Sequence, residues 1–529
     1  MTVQAEVHAD SQAELVEFLA RPDTYLEVGI EAGGEIGEVT VIETHISLIF
    51  LAGARAFKLK RAVAFPYLDF TNLQAREKAC AEEVRLNSRA APDLYLGTLP
   101  VMRKSDGCLS LGHGEVVVDW LVCMHRFDQD LLFDRLAERG ALSPGVMEEL
   151  AREIHGLHID AKIFTGRGGR EQTEAILANN LDCLGRYGRD IFEAGDLKLL
   201  TELSHRHLGH LAPILDARRA DGFVRECHGD LHLRNIVLID GHPVLFDGIE
   251  FSQDFSIIDI LYDFAFLLMD LCHKGLDAAA SAVFNRYMDF TGDIGGLSCL
   301  PLFLSLRAAV RAHVAAATAD GGDAGTGNDA RAYLAEAIRY LKPPPPRLVA
   351  IGGLSGTGKS ALAARIASNL GAPPGALVLR SDVLRKRLAG ADLFDRLAPA
   401  DYSKHMTERV YARLIADARI ALKGGYWVIL DAVYARPEQR LEVRRLAEEI
   451  AGEVKDFGGF SGFWLELPLA EREQRISRRT GNVSDATVDV ARQQEAYVAG
   501  EMDWNRVDAS QDIEILENRI TSPLSGAAT

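Results

Sequence analysis

The chain has 529 residues, of which 48% are apolar and 25% charged, and its formal net charge is −18 with a pI near 5.4. At about 100–200 residues per domain this length predicts two to four domains, and the composition is that of an ordinary globular protein. The acidic balance argues against a nucleic-acid backbone as the main partner, because proteins that bind one usually carry a basic face.

The N-terminal residues and the cysteines indicate the compartment. The first 18 residues are acidic and lack an apolar core, so they do not predict a signal peptide. The most apolar candidate for a membrane helix, IDILYDFAFLLMDL, contains three aspartates and predicts a buried helix instead. Seven cysteines without a C-x-x-C pair favour reduced, mostly buried thiols. We expect a cytoplasmic protein without a membrane partner.

The first part of the chain contains strands followed by helices. Its strand-like segments are GEVTVIETH, SLIFLAG and RAFKLKRAV. A helical segment follows at residues 74–87, and helical patterns dominate from about residue 131 to 215. This order predicts a two-lobed α+β domain.

A motif of the form H-G-D-x-x-x-x-N, with Asp230 and Asn235 as its polar members, lies further along this part. Asp247 follows twelve residues after Asn235, and the flanking segments IVLI and PVLF predict a hairpin that presents it. Phosphoryl transfer on a kinase-type fold uses such a set. We expect Asp230 to be the base for an acceptor hydroxyl, and Asn235 and Asp247 to hold Mg²⁺ on the ATP phosphates.

The segments HGDLHLRN and LFDGIEF, together with Asp263 in LYDFAFLL, resemble the aminoglycoside phosphotransferase family, a branch of the protein-kinase-like fold. The resemblance covers about residues 30–315. It implies ATP-dependent transfer to a hydroxyl group and a catalytic loop stabilised by Asp263 from a helix. It does not identify the acceptor.

A nucleotide lobe of this kind needs a lysine on a strand and a glutamate on the next helix. Lys58 has the small-hydrophobe-lysine setting, and strand alternation leaves Lys60 on the same face as an alternative. For the glutamate, Glu83 is the first choice. The alternatives are Glu82 and Glu77.

A boundary separates this part from the rest of the chain. Residues 318–330 are rich in Gly and Asp, a short helical stretch ARAYLAEAIRYL follows, and residues 343–346 are four prolines that form a stiff spacer. We predict a first domain at 1–317, a linker with a short helix at 318–346 and a second domain at 347–529.

The second domain opens with GLSGTGKS, which matches G-x-x-x-x-G-K-[ST] and lies between a predicted strand and a predicted helix. Backbone N–H groups and the helix N-terminus would hold phosphates, Lys359 would reach the β- and γ-phosphates, and Ser360 would ligate Mg²⁺. The residues expected to bind nucleotide are Gly353, Ser355, Gly356, Thr357, Gly358, Lys359 and Ser360.

Strands and helices alternate after this motif, which predicts a parallel sheet with helices on both faces. The predicted strands are LVAIGG, ALVLRS, YWVILDA, GFWLEL and DIEIL. Asp382, at the end of the second strand, is expected to accept a proton from a substrate hydroxyl, with a helix N-cap as the alternative. Asp431, at the end of the third strand, is expected to hold Mg²⁺ through water.

An arginine-rich helical segment comes later in this domain. Arg475 and Arg479 are one turn apart and are expected to close over transferring phosphates, with Arg478 next in order. A solvated charged face is the alternative.

Residues 347–520 resemble small P-loop kinases that phosphorylate metabolite or nucleotide hydroxyls, such as gluconate-kinase-like, polynucleotide-kinase-like and zeta-toxin-like proteins. GLSGTGKS, RSDVLRK, VILDA and the arginines near residue 475 carry this resemblance. The order of the two halves resembles bacterial two-domain proteins that join an aminoglycoside-phosphotransferase-like domain to an ATP-binding domain.

Together these patterns predict an ATP- and Mg²⁺-dependent kinase with two sites acting on small hydroxyl compounds. In one alternative, one domain is catalytic and the other is a nucleotide sensor. In another, the P-loop half phosphorylates the 5′-hydroxyl of a nucleotide or polynucleotide, which the cluster DVLRKR and the arginines near 475 keep open. The sequence does not predict an oligomeric state.

Overall fold

The computed structural model describes residues 12–28, 37–65, 68–319, 324–478, 483–497 and 500–525. The chain divides into two compact units. The first unit contains Met1–Leu142, Gly156–Gly168 and Arg219–Phe264, and the second contains Ser143–His155, Gly169–Arg218 and Ala265–Thr529. The proline-rich segment at residues 343–346 lies inside the second unit and is not a boundary between the two units. The predicted domain boundaries therefore stay a prediction.

The strands of the first unit up to residue 125 are β1 (Thr40–Glu43), β2 (Ser47–Ala52), β3 (Arg55–Lys60), β4 (Ala64–Phe65), β5 (Leu68–Asp69), β6 (Tyr95–Arg103), β7 (Leu109–Leu111) and β8 (Val116–His125). Six of them, including the three predicted strands, form an antiparallel sheet of order β1-β2-β3-β8-β6-β7. In β3, Phe57 and Leu59 join one apolar cluster and Ala56 joins the other, on the opposite face. The predicted alternation along this strand is therefore confirmed.

The predicted helix at 74–87 is α2 (Leu73–Asn87), which follows α1 (Ala13–Leu19) in the chain. The side chain of Asn72 caps α2 by accepting a hydrogen bond from the Ala75 N–H at 2.8 Å. Its buried positions follow the spacing of one helix face: Arg76, Ala79, Cys80, Glu83, Leu86 and Asn87. Glu83 lies on this face, whereas Glu77 is exposed.

The later part of the first unit carries the H-G-D motif. It contains β9 (Val224–Glu226), β10 (Ile236–Ile239), β11 (His242–Leu245) and β12 (Ile257–Asp259), with the short helices α3 (Phe133–Glu138) and α7 (Gln253–Ser256). Strands β10 and β11 pair in an antiparallel hairpin with Val237 opposite Val244, as predicted. The helices α4 (Pro144–Ile159) and α8 (Ile260–His273) each have residues in both units.

The helical part of the second unit consists of α5 (Gly169–Tyr187), α6 (Ala194–Ala220), α9 (Asp277–Thr291), α10 (Leu300–Ala319) and α11 (Ala324–Tyr340). Helix α11 contains the predicted helical stretch ARAYLAEAIRYL up to Tyr340 and begins six residues before it, at Ala324. Its buried side chains recur at helical spacing: Ala330, Tyr333, Leu334, Ala337 and Tyr340. The stretch with apolar periodicity begins at residue 330. The helix itself begins earlier, at Ala324, in residues whose composition alone predicts a loop.

One stretch of the described residues, Ile294–Ala319, is long and apolar enough to cross a membrane by length and composition. Inside the protein, 72% of its most apolar window is buried. Asn180 of α5 donates a hydrogen bond to the Leu306 carbonyl of α10 at 3.0 Å. Packing within the second unit accounts for its apolarity.

The strands of the P-loop part of the second unit are β13 (Leu348–Gly353), β14 (Leu377–Arg380), β15 (Val428–Asp431), β16 (Phe460–Glu466) and β17 (Asn505–Asp508). They form a five-stranded sheet of order β14-β15-β13-β16-β17, in which every pair is parallel. The helices of this part are α12 (Lys359–Ala367), α13 (Ser381–Ala389), α14 (Lys404–Lys423), α15 (Pro437–Glu453), α16 (Leu469–Ser477), α17 (Val488–Gln494) and α18 (Ile513–Ser525). The two predicted folds, a kinase-like α+β part and a parallel-sheet P-loop part, are confirmed.

One predicted strand is wrong. The segment DIEIL begins α18, and the fifth strand is β17 instead. Ile513 and Ile515 are exposed, whereas Leu516, Ile520 and Leu524 are buried. The buried positions are four residues apart, so they form a helical stripe, and the alternating isoleucines at the start are not the core-facing set.

Candidate active sites

Lys58 of β3 and Glu83 of α2 form a buried ion pair, with 2.9 Å between the Lys58 Nζ and the Glu83 Oε1. Burial alone would lower the pKa of Lys58, but the carboxylates of Asp247 and Glu83 raise it well above its ordinary value. Burial raises the pKa of Glu83, and the two ammonium groups of Lys58 and Lys60 outweigh it and lower this pKa to about 2. Both groups are therefore charged at neutral pH.

Lys60, the alternative to Lys58, contacts the same glutamate from the other side. Its Nζ lies against Glu83 Oε2 and against Glu250 Oε1, and Lys60 is fully buried. Glu250 was not predicted from the sequence. The other two glutamate alternatives differ from Glu83, because Glu82 pairs with Arg85 at the surface and Glu77 is exposed. The structure thus brings Glu83 to both lysines and Lys60 to a partner of its own.

Asp247 completes the cluster, because one of its carboxylate oxygens contacts the Lys58 Nζ. Its backbone has a φ of 59°, in the left-handed region that few non-glycine residues adopt. Two contacts hold it there: the Tyr95 hydroxyl accepts from the Asp247 N–H at 3.1 Å, and Asn87 Oδ1 accepts from the Gly248 N–H at 2.6 Å. Tyr95 and Asn87 are positioning residues that sequence patterns did not single out.

The motif at residues 228–235 forms a tight loop around Asp230. The Asn235 Nδ2 donates to the Asp230 carboxylate and to the Asp230 carbonyl, each at 3.0 Å. His228 is buried, which lowers its pKa, and its Nε2 lies 2.8 Å from the Phe246 carbonyl. In the neutral tautomer that donates from Nε2, the Nδ1 accepts from the Asp230 N–H at 3.3 Å. The loop therefore holds Asp230 and Asn235 side by side.

Asp263 of α8 holds the loop at residues 228–235 in place through hydrogen bonds, as the family resemblance implies. Its carboxylate accepts from the His228 N–H at 3.1 Å and from the Gly229 N–H at 2.8 Å. Its Oδ2 also lies 3.1 Å from the His158 Nε2. A fully buried carboxylate needs such hydrogen bonds, because an unsatisfied one would be strongly destabilising.

The donor set of this site fits Mg²⁺. Asn235 uses its Nδ2 on Asp230, which leaves an amide oxygen as a ligand, and Asp247 supplies a carboxylate that is 42% exposed. Oxygen donors of these two kinds are the ones that Mg²⁺ prefers.

A polar pocket of about 420 Å³ borders this loop. Its lining side chains are Gln129, Leu132, Asp134, Arg135, Glu138 and Arg234. Four of the six are charged, so the pocket suits a polar ligand better than an apolar one.

The P-loop lies between β13 and α12, as predicted. Gly356 has a φ of 91°, and a Cβ there would lie 2.8 Å from the Arg472 carbonyl oxygen. Gly353 has a φ of 143° and a similar approach of 2.8 Å to the Leu465 carbonyl. These positions admit only glycine, so the backbone itself is the part of this site that could surround a phosphate.

Lys359 and Ser360 are the first two residues of α12, where the helix dipole is positive. The Lys359 Nζ donates to the Leu354 carbonyl at 3.3 Å, which keeps the side chain folded over the loop. Thr357 donates its hydroxyl to the same carbonyl at 2.8 Å. Sequence patterns missed one contact, in which the Gln494 Oε1 of α17 accepts from the Ser355 N–H at 2.7 Å.

Asp431 is the last residue of β15, is 4% exposed and lies in register with Ile351 of β13 and Arg380 of β14. This is the carboxyl edge of the sheet, where the P-loop begins, and a carboxylate there with the Ser360 hydroxyl is a donor set that fits Mg²⁺. Asp382 lies differently from the prediction, because β14 ends at Arg380 and Asp382 is in the first turn of α13. The N-cap of α13 is Arg380, so the alternative role of Asp382 as a cap is wrong.

Of the predicted arginines, Arg475 lies on the P-loop. Its guanidinium donates to the Thr357 carbonyl at 3.2 Å and to the Ala509 carbonyl at 2.8 Å. Arg472 also contacts the loop: it is 1% exposed, donates to the Ser355 carbonyl at 3.3 Å and pairs with Glu495. Arg478 is the C-cap of α16, and Arg479 lies outside the described residues.

The basic cluster DVLRKR is mostly internal. Arg385 is 7% exposed and donates to the Asp401 carbonyl at 2.9 Å, and Lys386 is 1% exposed and donates to the Leu393 carbonyl at 3.0 Å. Lys386 also pairs with Asp485 at 3.3 Å. These cations stabilise the loop around residues 393–401, which removes one of the two features that favoured a polynucleotide substrate.

Two family models match the chain. The model of the phosphotransferase enzyme family matches residues 147–296, and an AAA domain model matches residues 348–500. The uncharacterized protein Rv2004c of Mycobacterium tuberculosis (strain H37Rv) is 29% identical over 487 residues, which cover 89% of this chain and 92% of that protein.

Solved structures of kinases are similar to parts of the chain. A gluconokinase from Sinorhizobium meliloti is 19% identical, covers 35% of this chain and 95% of its own, and has a TM-score of 0.25. A choline/ethanolamine kinase family protein from Mesorhizobium loti is 13% identical, covers 62% of this chain and 99% of its own, and has a TM-score of 0.39. At these scores the family models alone carry the assignment.

The predicted resemblances are confirmed by these models, each in the expected half of the chain. The first match contains the H-G-D motif with Asp230 and Asn235, and the second contains the P-loop with Lys359. Residues 147–296 are thus similar to the phosphotransferase enzyme family and residues 348–500 to an AAA domain, and the two matches together support an ATP-dependent phosphotransferase.

Proposed function

We propose that the protein transfers the γ-phosphate of ATP to hydroxyl groups of small molecules at two sites, one in each half. The observation that carries the first site is the position of Lys58, whose ammonium contacts both Glu83 and Asp247, 25 and 189 positions away in the chain. An arrangement that unites a strand lysine, a helix glutamate and the aspartate after the catalytic loop matches the requirement for phosphoryl transfer.

At the first site, Lys58 binds the ATP phosphates and Glu83 orients the lysine. Asp230 accepts the proton of the acceptor hydroxyl as its oxygen bonds to the γ-phosphorus. The bond from that phosphorus to the β–γ bridging oxygen breaks, and ADP leaves with the electron pair. Asn235 and Asp247 hold Mg²⁺, which when bound neutralises the phosphate charge.

At the second site, the backbone from Gly353 to Ser360 surrounds the phosphates, and Lys359 lies on the β- and γ-phosphates. Ser360 and Asp431 hold Mg²⁺, Arg475 stabilises the transferring group, and Asp382 accepts the proton of the second acceptor. Arg479 keeps its predicted role beside Arg475. The site resembles those of P-loop kinases with small substrates, and we place the protein in the cytoplasm, where ATP and metabolites are available.

A second candidate function makes the P-loop half a nucleotide sensor for the other half. The hydrogen bond from the Ser355 N–H to Gln494 favours it, because a bound γ-phosphate would compete for the same donor and would change the position of α17. In that case ATP binding at the P-loop would alter the rate at the first site without yielding a second product.

The test uses purified protein, Mg²⁺, γ-labelled ATP and a metabolite extract, followed by separation of the labelled products. Wild type, Asp230→Ala and Lys359→Ala are compared, with two matched controls at exposed positions, Asp254→Ala and Lys404→Ala. We expect two labelled compounds, each lost in one active-site variant and kept in both controls.

Other outcomes separate the candidates. One labelled compound, lost in Asp230→Ala and changed in rate in Lys359→Ala, supports the sensor. Full product formation in both active-site variants would contradict the proposed roles of both residues.

A further inference from the structure

Helix α9, within the segment that matches the phosphotransferase family, is fixed to the sheet of the P-loop segment. Strand β14 is an edge strand, and the side chain of Asn285 pairs with it as a further strand would: its Nδ2 donates to the Ala376 carbonyl at 3.2 Å, and its Oδ1 accepts from the Val378 N–H at 2.8 Å. Arg387 of α13 donates to the Met288 and Asp289 carbonyls at the end of α9, at 3.1 and 2.9 Å.

A line of alternating charges crosses this contact. Glu148 Oε2 lies 2.6 Å from Arg286 Nη2, and Arg286 Nη1 lies 3.3 Å from Asp289 Oδ2. The same Asp289 oxygen is 3.8 Å from the Nη1 of Arg380, the last residue of β14. The side chains of Arg286 and Asp289 are 8% and 10% exposed, so water screens these interactions poorly.

Arg380 continues the line to the P-loop site. Its Nε lies 3.7 Å from Asp431 Oδ2, too far for a hydrogen bond but close enough for strong attraction, since both side chains are largely buried. Among the described residues this Nε has no hydrogen-bond partner. The guanidinium is therefore shared between the two carboxylates of Asp289 and Asp431.

We propose that Asp289 is a positioning residue of the P-loop site, which acts through Arg380 to keep the Asp431 carboxylate available for Mg²⁺. The line Glu148–Arg286–Asp289–Arg380–Asp431 then couples α9 of the phosphotransferase segment to metal and nucleotide binding in the P-loop segment. This inference rests on the proposed role of Asp431.

The signs of the charges predict whether each substitution weakens or strengthens Mg²⁺ binding at Asp431. When the charge of Asp289 is removed, Asp431 becomes the main carboxylate acting on Arg380, ahead of Asp382 and Glu148, and Arg380 competes with Mg²⁺ for it. When the charge of Arg286 is removed instead, Asp289 attracts Arg380 more strongly, and Asp431 is freed. Loss of packing alone would weaken binding in both variants, so opposite signs distinguish coupling from general destabilisation.

The experiment measures binding of a non-hydrolysable ATP analogue to the full chain by calorimetry, with and without Mg²⁺. Each variant is also made with Lys359→Ala, and the difference isolates the P-loop site. The variants are Asp289→Asn and Arg286→Gln. The control is Asp293→Asn, which breaks the buried pair of Asp293 with Arg218 in the same unit, at 2.8 Å and 4% exposure of both side chains.

We expect Asp289→Asn to weaken Mg²⁺-dependent binding by about fivefold or more, a coupling of ordinary size, with little change in the absence of Mg²⁺. Arg286→Gln should bind as tightly as wild type or more tightly, and Asp293→Asn should equal wild type. If Asp289→Asn is too unstable to measure, Arg286→Gln remains the test, and binding weaker than that of wild type in this variant would overturn the inference.

Equal binding in Asp289→Asn and Asp293→Asn, or equal weakening in Asp289→Asn and Arg286→Gln, would overturn the inference while the proposed P-loop function stands. Wild type that shows no Lys359-dependent nucleotide binding would overturn both.

Discussion

The two proposed sites would hold phosphates by different means. At the first site the groups are side chains from distant parts of the chain: Lys58 on a strand, Glu83 on a helix and Asp247 after a hairpin, held by buried ion pairs. At the second site the groups are mainly backbone N–H donors of one continuous loop, shaped by glycines at positive φ. A site built from charged side chains should lose function when one charge is removed. A site built from backbone groups should lose function when an added atom displaces the backbone.

This difference gives the sites different weak points. Removing Glu83 from the Lys58 cluster takes a carboxylate from two buried lysines at once, which is costly. Adding a single methyl group to the P-loop displaces backbone that no rotamer change can restore. The following predictions test this contrast, beginning with the largest expected effect.

Asp230→Asn should lower transfer at the first site by about 10²–10⁴-fold, because the amide keeps the shape of the side chain but cannot accept the proton. Nucleotide affinity should hardly change, since the amide keeps the shape of the side chain and can still accept the hydrogen bond from Asn235. Product formation and nucleotide titration measure the two quantities. A variant with more than a tenth of the wild-type rate would show that Asp230 is not the base.

Glu83→Gln should lower the free energy of unfolding by about 3 kcal/mol, because Lys58 and Lys60 stay buried and each loses one of its two carboxylate partners. The matched control is its neighbour Glu82→Gln, whose surface pair with Arg85 is worth about 0–1 kcal/mol. Urea unfolding of both variants measures the difference.

The contribution of Glu83 to the free energy of unfolding should also depend on pH. Since its pKa is lowered from 4.5 to about 2 in the folded chain, its stabilisation is present above pH 4.5 and is lost as the pH falls towards 2. Equal stability of the two variants at neutral pH would mean that the buried cluster does not depend on this charge.

Gly356→Ala should weaken nucleotide binding at the P-loop by about 10–100-fold and leave the first site unchanged, because its Cβ would meet the Arg472 backbone at 2.8 Å. Gly390→Ala is the control, since Gly390 also has a positive φ, of 69°, but no atom within 4 Å of a Cβ. Calorimetry compares the two. Similar losses of nucleotide affinity in the two variants would mean that the positive φ causes the effect and that the steric clash with Arg472 does not.

Acid should affect the first site through His228. Because burial lowers its pKa in the folded chain, the unfolded chain binds the proton more readily. The stability that His228 contributes is present above its unfolded pKa of about 6.5 and is lost as the pH falls through the lower folded value. The difference in unfolding free energy between wild type and His228→Gln should therefore shrink from pH 7.5 to pH 5. A replacement of the exposed His242 should not reproduce this trend.

The P-loop could be predicted from the sequence almost completely, because its contacts are local. Eight consecutive residues specify the turn, and the strand before and the helix after them follow from short periodic patterns. The same holds for the loop around Asp230 and Asn235, which are five residues apart and bond each other directly. Because the residues of such a motif are close in the sequence, their spacing determines the local geometry, and the motif can be identified without knowledge of the fold.

Other features depended on the tertiary structure. The choice of Glu83 over Glu82 and Glu77 depends on which face of α2 meets the sheet, and the contact of Glu250 with Lys60 spans 190 positions. The segment DIEIL was wrong as a strand because its helical stripe continues to Leu524, beyond the window that shows alternation. The shared guanidinium of Arg380 could not be predicted at all, because it depends on where α9 meets the edge of β14.

The sequence by itself determined the two chemistries, since each motif places its functional groups within a few residues of one another. Only the tertiary structure decided how charges far apart in the chain are paired, because ion pairs in a buried site depend on distances of a few ångströms between elements that no local pattern relates.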